Sequence, residues 1–397
     1  MRKRWMALLS VVVVVAVAAP GYAQPPGPIK IAFLASLSGP FTIWGVQVRD
    51  GMKMAIEELN TAGGVLGRKL ELVERDDKNS PSEGITAFRY LVEREGVIAA
   101  GGMISSDVGL AVSREAEAMR VPFFMTMSGS HAILKPSSRF TFRTCLVAAP
   151  MNMQPAAALI QARKYTRVGA IIADYAWGHA FRESFETLIK PLPGVKTQLE
   201  VAPVPERDFT PYLRKLQGLD PELIIAMGHP PGNSTITRQA AELGMKAIVI
   251  GSWVPPEMIM QRVGDLAFDR FVDYTCADYE SPAYQRLAEK FYAINKRFFD
   301  HNAFSGYVTV KMVADAVQRT KSVDPKVVAD AIRKGKFVQE GYGWPVSYTE
   351  WGEMKEATPI IFIYEKGSPP GNINPGATWR PKVIFRSPPL KPYVPAE

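Results

Sequence analysis

The chain has 397 residues, of which 47% are hydrophobic and 22% are charged. This length favours two domains, since a domain commonly takes roughly 100–200 residues, and the composition excludes a disordered chain. The formal net charge is +8, but Lys and Arg are scattered among acidic residues and form no basic stripe. A nucleic-acid-binding surface is therefore not expected.

The first residues have the pattern of a secretory signal. A basic segment, MRKRW, precedes the apolar run MALLSVVVVVAVAA, and GYA before Gln24 places small residues at a cleavage site. The alternative is a membrane anchor, but about 14 apolar residues fall short of the roughly 20 that a bilayer requires. We therefore expect residues 1–23 to be a signal peptide and the mature protein to be exported and soluble.

The chain then repeats one pattern of short strands and helices. The β-rich runs IKIAFLASL, KLELVERDD, VIAAGGM and VPFFMTM are followed by turns and by stretches of helical period such as DGMKMAIEELN. A second set begins near Arg167 with RVGAIIADY, KTQLEVAPV, LIIAMGH and KAIVIGSW. Strands that alternate with helices predict an α/β fold, with parallel sheets covered by helices on both faces, in two similar halves.

After about residue 276 the pattern becomes mainly helical. PAYQRLAEKFYAINKRF, AFSGYVTVKMVADAVQRT and PKVVADAIRKG have helical period, and the tail from Gly341 contains the strand candidate TPIIFIYE. Because these helices are too few for a third core, we expect them to pack on the first half. The chain then crosses between the halves more than once.

The segments that follow the predicted strands carry unusual residues. They read LSGPFTIWG, MISSD, TMSGSH, DYAWG, GHPPGN and GSWVPP, and they contain Trp44, Trp177 and Trp253. Ligands of open α/β sheets bind beyond the carboxyl ends of the strands. Each Trp alone has the alternative of being an ordinary core aromatic, but three at equivalent positions in two halves favour the walls of a ligand site.

The chain resembles the type I periplasmic binding proteins of ABC importers in the segments LSGPFTIWG, AIEELNTAGGVLGRKLELVERDDKNSP, GGMISSDVGLAVSREAEAMRVPFF, ADYAWG and ERDFTPYLRKLQGLDPELIIAMG. The likeness is to the branched-chain amino-acid-binding (Leu/Ile/Val-binding-like) group, which also includes binders of amides, urea and aromatic acids, and it runs from Ile29 to about Glu356. It implies two Rossmann-like lobes with parallel central sheets. Three crossover strands would join them, near residues 144–150, 273–278 and 343–347.

The resemblance also implies the lobe boundaries and the ligand contacts. Residues 29–146 and 277–344 would form the N-terminal lobe, and residues 147–276 and 345–397 the C-terminal lobe. A ligand carboxylate would be held at a helix start, where Ser105 and Ser106 offer hydroxyls and free amides; the alternative is that either Ser only caps the helix. The further positions that match ligand contacts of the family are Trp44, Ser128, Gly129, Ser130, Trp177 and His229.

One departure from the family pattern bears on the ligand. Amino-acid-binding members carry an acidic residue that pairs with the ligand ammonium, where this sequence has Ser252 or Trp253. Glu257 lies past two prolines and is not expected to reach the ligand. Because a buried unpaired ammonium is costly, we expect a carboxylate with an apolar or aromatic body, stacked on Trp faces. The alternatives are a branched-chain amino acid, an amide or urea, or a ligand-sensing module of a signalling system.

Features of an enzyme are lacking in the sequence. It contains no Gly-x-Ser-x-Gly, no phosphate-binding Gly-Lys-Ser/Thr loop and no His-Glu-x-x-His, and its four His stand far apart. We expect a periplasmic receptor without catalytic activity, cofactor or metal. Its partners would be a small-molecule ligand and the permease subunits of an inner-membrane ABC importer, with no nucleic acid, and the protein would be a monomer.

The chain has two cysteines, Cys145 and Cys276. By the family pattern both fall in the hinge, where crossover strands run side by side, and an oxidising compartment permits them to pair. The alternative is two buried thiols that act as small apolar groups. A disulfide between them is a candidate feature of the hinge.

Overall fold

A computed structural model describes residues 27–227 and 232–396. The predicted signal peptide, residues 1–23, lies outside the described residues. Within them, no helix combines the length and the apolarity that crossing a bilayer demands.

The first sheet consists of five parallel strands in the order β2-β1-β3-β4-β5. These strands are Ile29–Ala35 (β1), Leu70–Asp76 (β2), Ala99–Gly101 (β3), Phe123–Met125 (β4) and Thr141–Arg143 (β5). The interior strand β1 is buried along nearly its whole length, as expected when helices cover both faces of a parallel sheet.

The second sheet has seven strands in the order β14-β13-β10-β9-β8-β6-β7. They are Arg167–Ala173 (β6), Lys196–Ala202 (β7), Leu223–Met227 (β8), Ile248–Ile250 (β9), Phe271–Thr275 (β10), Ile360–Lys366 (β13) and Trp379–Arg386 (β14). Strands β6 to β10 are parallel and repeat the order of the first sheet. This repeat confirms the prediction of two similar α/β halves.

The edge of the second sheet differs from a purely parallel sheet. Strand β13 is antiparallel to β10, and β14 is antiparallel to β13. Residues 367–378 connect β13 to β14 without a helix, so no crossover of the βαβ kind joins these two strands. The short strands Lys336–Phe337 (β11) and Val346–Ser347 (β12) form a separate antiparallel pair.

Twelve α-helices surround the two sheets in the described part of the chain. They are Thr42–Thr61 (α1), Pro81–Glu93 (α2), Ser106–Met119 (α3), Ala149–Arg163 (α4), Ala176–Leu188 (α5), Thr210–Gln217 (α6), Gly232–Glu242 (α7), Pro256–Val263 (α8), Ala267–Arg270 (α9), Pro282–Asn295 (α10), His301–Thr320 (α11) and Pro325–Lys334 (α12).

Helical periodicity accounts for how these helices pack. In α3, Val108, Val112 and Ala116 recur at intervals of four residues, and all three are buried in one cluster with Phe123 of β4. Helix α11 packs on α1 of the first lobe. The two helices approach so closely that a β-carbon at Gly51 or at Gly306 would overlap a backbone carbonyl of the partner helix.

The chain passes between the sheets after β5, after β10 and before β13. Residues 345–397 are predicted to lie in the second lobe. Of these, β13 and β14 join the second sheet, whereas Gly352 O accepts a hydrogen bond from the backbone N–H of Arg143 in β5. The lobes also touch across the cleft, where Ala176 N donates to Asp107 Oδ1 at 3.2 Å and His131 Nε2 lies 3.1 Å from Glu183 Oε2.

Candidate functional site

The site lies where the strand order of each sheet reverses. In the first sheet β1 and β3 are adjacent, and the strands that follow them in sequence, β2 and β4, lie on opposite sides of this pair. In the second sheet β6 and β8 have the same arrangement with β7 and β9. The loops after these strands therefore open a crevice at the carboxyl edge of each sheet, where ligands of open α/β sheets bind. Loop 36–41 precedes α1, and loop 102–105 precedes α3.

A cavity between these loops has mostly aromatic and apolar walls. The space between its walls amounts to about 360 Å³, part of which is open to solvent. Its walls are formed by Phe41, Trp44, Ile104, Met127, Leu146, Tyr175, Trp177, Ser252 and Trp253.

Trp44 joins the first lobe to the second. It lies in the first turn of α1, and its indole Nε1 donates to the carbonyl oxygen of Trp253 at 2.8 Å. The ring of Phe41 lies between those of Trp44 and Tyr175, with centroids 6.1 and 5.7 Å away. The side of the cavity formed by α1 is thus a continuous aromatic surface that spans both lobes.

Trp177 projects from the start of α5 onto the first lobe. Its six-membered ring covers Gly129 so closely that a β-carbon at position 129 would overlap the ring. Its Nε1 donates to Ser252 Oγ at 3.1 Å, and its ring meets Phe181 edge to face at 4.4 Å. Gly129 therefore permits the contact between the lobes at this point.

Trp253 is placed differently from the other two Trp residues. Its side chain is 1% exposed, stacks on Tyr274 at an interplanar angle of 14° and meets the ring of His301 edge-on. Its Nε1 donates to Asn152 Oδ1 at 3.1 Å, inside the protein. Trp253 forms part of the cavity wall, but its indole N–H already donates to Asn152 within the second lobe.

A buried carboxylate holds the backbone of the Trp253 loop. Asp273 Oδ1 accepts hydrogen bonds from the N–H groups of Trp253 and Tyr274, and Oδ2 accepts one from Val254, all at 2.8 Å. Trp253 has φ of +58°, a conformation that a bulky residue adopts only when its surroundings impose it. Burial raises the pKa of Asp273 to about 7, and the three N–H groups oppose the shift.

The predicted serines meet at the start of α3. Ser106 Oγ accepts a hydrogen bond from Ser130 N at 3.2 Å and lies 3.3 Å from Ser128 Oγ. The Ser105 hydroxyl is buried and has no hydrogen-bond partner among the described residues, and it does not cap the helix. The structure therefore brings Ser105, Ser106, Ser128, Gly129 and Ser130 together.

A buried arginine holds loop 128–130 from behind. Arg143 is fully buried, and its Nη1 and Nη2 donate to the carbonyl oxygens of Ser128 and Ser130 at 2.6 and 2.8 Å. Its Nε donates to Glu353 Oε2 at 2.7 Å. The carbonyl between them, that of Gly129, accepts from Ala149 N at 3.0 Å.

Several wall residues were not predicted from the sequence. Phe41 and Tyr175 stand in the same strand-end loops as Trp44 and Trp177, so their aromatic character was an available signal. Ile104, Met127 and Leu146 are ordinary apolar residues, and no local pattern distinguishes them from core residues. His229 lies outside the described residues, and in the described ranges no cluster of His, Cys, Asp or Glu has the arrangement of a metal site.

A disulfide joins Cys145 and Cys276 beside this site. Their Cα atoms are 5.5 Å apart, and 131 positions separate them in sequence. Cys145 follows β5 and Cys276 follows β10, so the bond connects two of the segments by which the chain passes between the lobes.

Comparison with known proteins gives concordant matches along nearly the whole chain. The Leu/Ile/Val-binding protein homolog 3 of Brucella melitensis is 25% identical over 345 residues, which cover 85% of this chain and 92% of that protein. A leucine binding protein, LivK, of Thermotoga maritima superposes with a TM-score of 0.78 at 20% identity, covering 91% of this chain and 99% of that one. A solute binding protein of an ABC transporter from R. palustris, solved in complex with benzoate, has a TM-score of 0.76 at 16% identity and covers 92% and 98%.

At these identities the solved structures show a shared two-lobe fold. The periplasmic binding protein family itself matches residues 28–365, which is most of the chain. Together with the two α/β lobes and the cavity between them, this match shows that the chain belongs to the periplasmic binding protein family.

Proposed function

We propose that this protein is the solute-binding receptor of an ABC importer and captures a small carboxylate with an apolar or aromatic body between its lobes. One observation carries the proposal: among the described residues, the cavity wall contains five aromatic side chains and no acidic or basic one. Such a wall suits an apolar body and offers no charge to a ligand ammonium.

The acidic residues next to wall residues in sequence have partners of their own: Asp107 accepts the N–H of Ala176 at 3.2 Å, and Asp174 Oδ1 lies 3.0 Å from His179 Nε2. Two further acidic residues of the second lobe are also engaged. Asp273 accepts three backbone N–H groups, and Glu257 Oε1 accepts the N–H of Phe298 at 2.9 Å. Residues 228–231, outside the described ranges, read Gly-His-Pro-Pro and contribute no carboxylate. An α-ammonium in this cleft would therefore be buried without an anionic partner, which is costly.

The start of α3 supplies the group that would receive a ligand carboxylate. The helix has 14 residues, and its first amides carry the positive end of the helix dipole. The Ser105 hydroxyl is buried at the same place without a hydrogen-bond partner in the described chain. A carboxylate near Ser105 would accept from both, as the resemblance to the family implies.

A branched-chain amino acid is the second candidate ligand. The name of the Brucella melitensis relative denotes leucine, isoleucine and valine, and 85% of this chain aligns with that protein. These side chains would also fit an apolar wall. The two candidates differ in the α-ammonium, so a test must vary that group alone.

The experiment compares two ligand pairs that differ only in the ammonium and one pair that differs only in the carboxylate. Calorimetry and thermal shift are measured with 4-methylpentanoate against leucine and with 3-phenylpropanoate against phenylalanine, and benzoate is compared with benzamide. We expect the carboxylates without ammonium to bind more tightly, and a ligand at 100 times its dissociation constant to stabilise the fold by about 2.7 kcal/mol. Tighter binding of leucine than of 4-methylpentanoate would contradict the proposed ligand class.

Two matched variants locate the binding site. Trp177→Ala removes a wall of the cavity, whereas Trp351→Ala removes a Trp that is not among the cavity walls and whose Nε1 donates to Tyr393 O. We expect the first variant to weaken binding strongly and the second to leave it unchanged. Equal losses would place the ligand elsewhere.

A further inference from the structure

Helix α5 of the second lobe contacts the first lobe at points that lie outside the cavity walls. It packs on α3 across the cleft, and its first amide, that of Ala176, donates to Asp107 Oδ1 at 3.2 Å. About two turns further along the helix, Glu183 Oε2 lies 3.1 Å from His131 Nε2. Neither Asp107 nor Glu183 is a wall residue of the cavity, so both contacts join the lobes without involving a ligand held there.

Asp107 lies at the start of two helices, one from each lobe. It stands in the first turn of α3, and it accepts from the first residue of α5. These helices have 14 and 13 residues, and the N-terminus of each carries the positive end of a helix dipole. When the lobes close, the two positive ends approach each other, and a carboxylate that contacts both is favourable to both.

The start of α5 lacks a local cap within the described chain. Tyr175 at its N-cap position forms no side-chain hydrogen bond to the helix, and the sequence of its first turn, AWGH, contains no acidic residue. A helix usually receives such a group from the residue just before it, because its first amides have no partner within the helix. Here Asp107, 69 positions earlier in sequence, supplies the acceptor from the opposite lobe.

This hydrogen bond breaks whenever the lobes separate, because its donor and its acceptor belong to different lobes. A ligand held between the lobes leaves when they move apart, and the Ala176 amide then returns to water. The bond therefore stabilises only the closed form. The contact of His131 with Glu183 has the same property, but the Glu183 side chain is 65% exposed, and an exposed ion pair contributes little.

We propose that Asp107 is a positioning residue, which holds the lobes closed over a ligand by capping α5 from the opposite lobe. It acts through α5 on Trp177, which is the second residue of that helix and forms a wall of the cavity. This inference rests on the proposed capture of a ligand between the lobes, but it does not depend on the chemistry of that ligand.

The test removes each partner of the hydrogen bond in turn. Asp107→Ala removes the acceptor, and Ala176→Pro removes the donor. Proline suits the first residue of a helix, and the residue before it, Tyr175, already has the extended backbone that precedes a proline. The second variant therefore deletes one N–H group and leaves the start of the helix intact.

Stopped-flow Trp fluorescence measures the association and release rates of 4-methylpentanoate. We expect each single variant to release it about fivefold faster, the usual effect of losing a helix cap, with an association rate within about twofold of the wild type. Asp107→Ala/Ala176→Pro should release it no faster than the faster single variant, because both changes remove the same bond.

The matched control is Asp324→Ala. Asp324 Oδ1 also accepts a backbone N–H at a helix start, that of Lys326 at 2.8 Å, but both residues belong to the start of α12. We expect this control to lower the melting temperature and to leave the release rate unchanged. A merely structural role of Asp107 would give the same result as the control.

The outcomes separate the inference from the proposed function. Tighter binding of leucine than of 4-methylpentanoate by the wild type would overturn the ligand class, and the release rates are then measured with leucine. With either ligand, a folded Asp107→Ala or Ala176→Pro variant that releases it at the wild-type rate would overturn the role of Asp107. If neither ligand binds, small-angle X-ray scattering of the ligand-free proteins decides: we expect a larger radius of gyration for Ala176→Pro than for the wild type, and equal radii would overturn the inference.

Discussion

The two loops that face each other across the cleft are held from behind by buried groups of opposite charge. In the first lobe, Arg143 donates to the carbonyls of loop 128–130, and in the second lobe Asp273 accepts from the amides of residues 253 and 254. A buried cation behind a loop occupies the backbone carbonyls of the loop, and a buried anion occupies its backbone N–H groups. The sign of the buried charge therefore decides whether N–H groups or carbonyls of the loop remain available.

The second loop shows the consequence most directly. With its N–H held by Asp273, Trp253 turns its carbonyl towards the first lobe, where it accepts the Trp44 indole N–H. In the first loop the carbonyls are held, and the described residues nearby include an unpaired hydroxyl, that of Ser105. Five measurements, ordered from the largest expected effect to the smallest, test this difference.

The disulfide ties together the two segments that follow these buried charges. Cys145 comes two residues after Arg143, and Cys276 three residues after Asp273. With 131 positions between the cysteines, loss of the bond should cost roughly 4–5 kcal/mol by the loop-closure entropy argument. We expect urea unfolding of Cys145→Ala/Cys276→Ala to show this loss. Two free thiols per chain in the denatured, non-reduced wild type would exclude the bond.

Removing the cation alone should nearly match that effect. Arg143→Met leaves Glu353 as a buried carboxylate without its partner, and breaking a buried pair in this way costs about 3–5 kcal/mol. The control is Arg143→Met/Glu353→Gln, which should recover most of the loss. If the single variant is as stable as the wild type in a urea titration, Arg143 does not hold the first loop in the way described.

The stability of the protein should depend on pH through His301, whose ring contacts Trp253 in the loop that Asp273 holds. Burial lowers the pKa of His301 to about 4, so between its ordinary value of 6.5 and 4 the unfolded chain binds a proton that the folded chain does not. Stability from this group is therefore lost as pH falls, by about 3 kcal/mol in full.

Asp273 works in the opposite direction over an overlapping range. Its folded pKa of about 7 exceeds the ordinary 3.8, so stability from this group falls as pH rises between these values. Burial also raises the pKa of Asp300, which precedes His301, to about 6. The net slope of the wild type therefore mixes several groups, and a variant is needed to separate His301 from the others. Urea unfolding of His301→Gln should lose less stability on acidification than the wild type, and parallel pH curves would show that His301 is not the neutral buried group.

Replacing the anion should have a smaller effect than breaking the Arg143 pair. Asp273→Asn keeps one acceptor oxygen but turns an NH₂ group towards a backbone N–H that now donates to the carboxylate. An unpaired buried donor costs about 1–3 kcal/mol. We expect a lower melting temperature and weaker ligand binding, because the Trp253 backbone is released. A variant with the melting temperature of the wild type would contradict this role.

The smallest effect concerns the hydrogen bond between the lobes. Trp44→Phe removes the donor to Trp253 O, which should weaken ligand binding by about 0.5–1.5 kcal/mol. Trp351→Phe is the matched control, since its indole N–H also donates to a backbone carbonyl, that of Tyr393, away from the cavity walls. Calorimetry should show a loss for the first variant only, and equal affinities would show that this bond does not favour closure.

The sequence by itself determined the layered architecture. Strand runs such as IKIAFLASL and helical stretches such as DGMKMAIEELN are local patterns, and the period of apolar residues reports which face is buried wherever the element lies. The loops that carry Trp44 and Trp177 were also readable, because a residue after a parallel strand lies at the carboxyl edge of its sheet. The absence of an acidic residue from GSWVPP could be seen in the sequence alone.

Tertiary structure alone decided what each of these residues does. Trp253 stands in a loop like that of Trp177, yet its ring turns into the second lobe because Asp273, 20 positions away, holds its backbone and Asn152 takes its indole N–H. Arg143 gave no local signal, since its partners at 128, 130 and 353 come together only when β5 meets the returning chain. Side-chain direction and charge pairing depend on contacts between distant segments, and a local pattern carries no information about them.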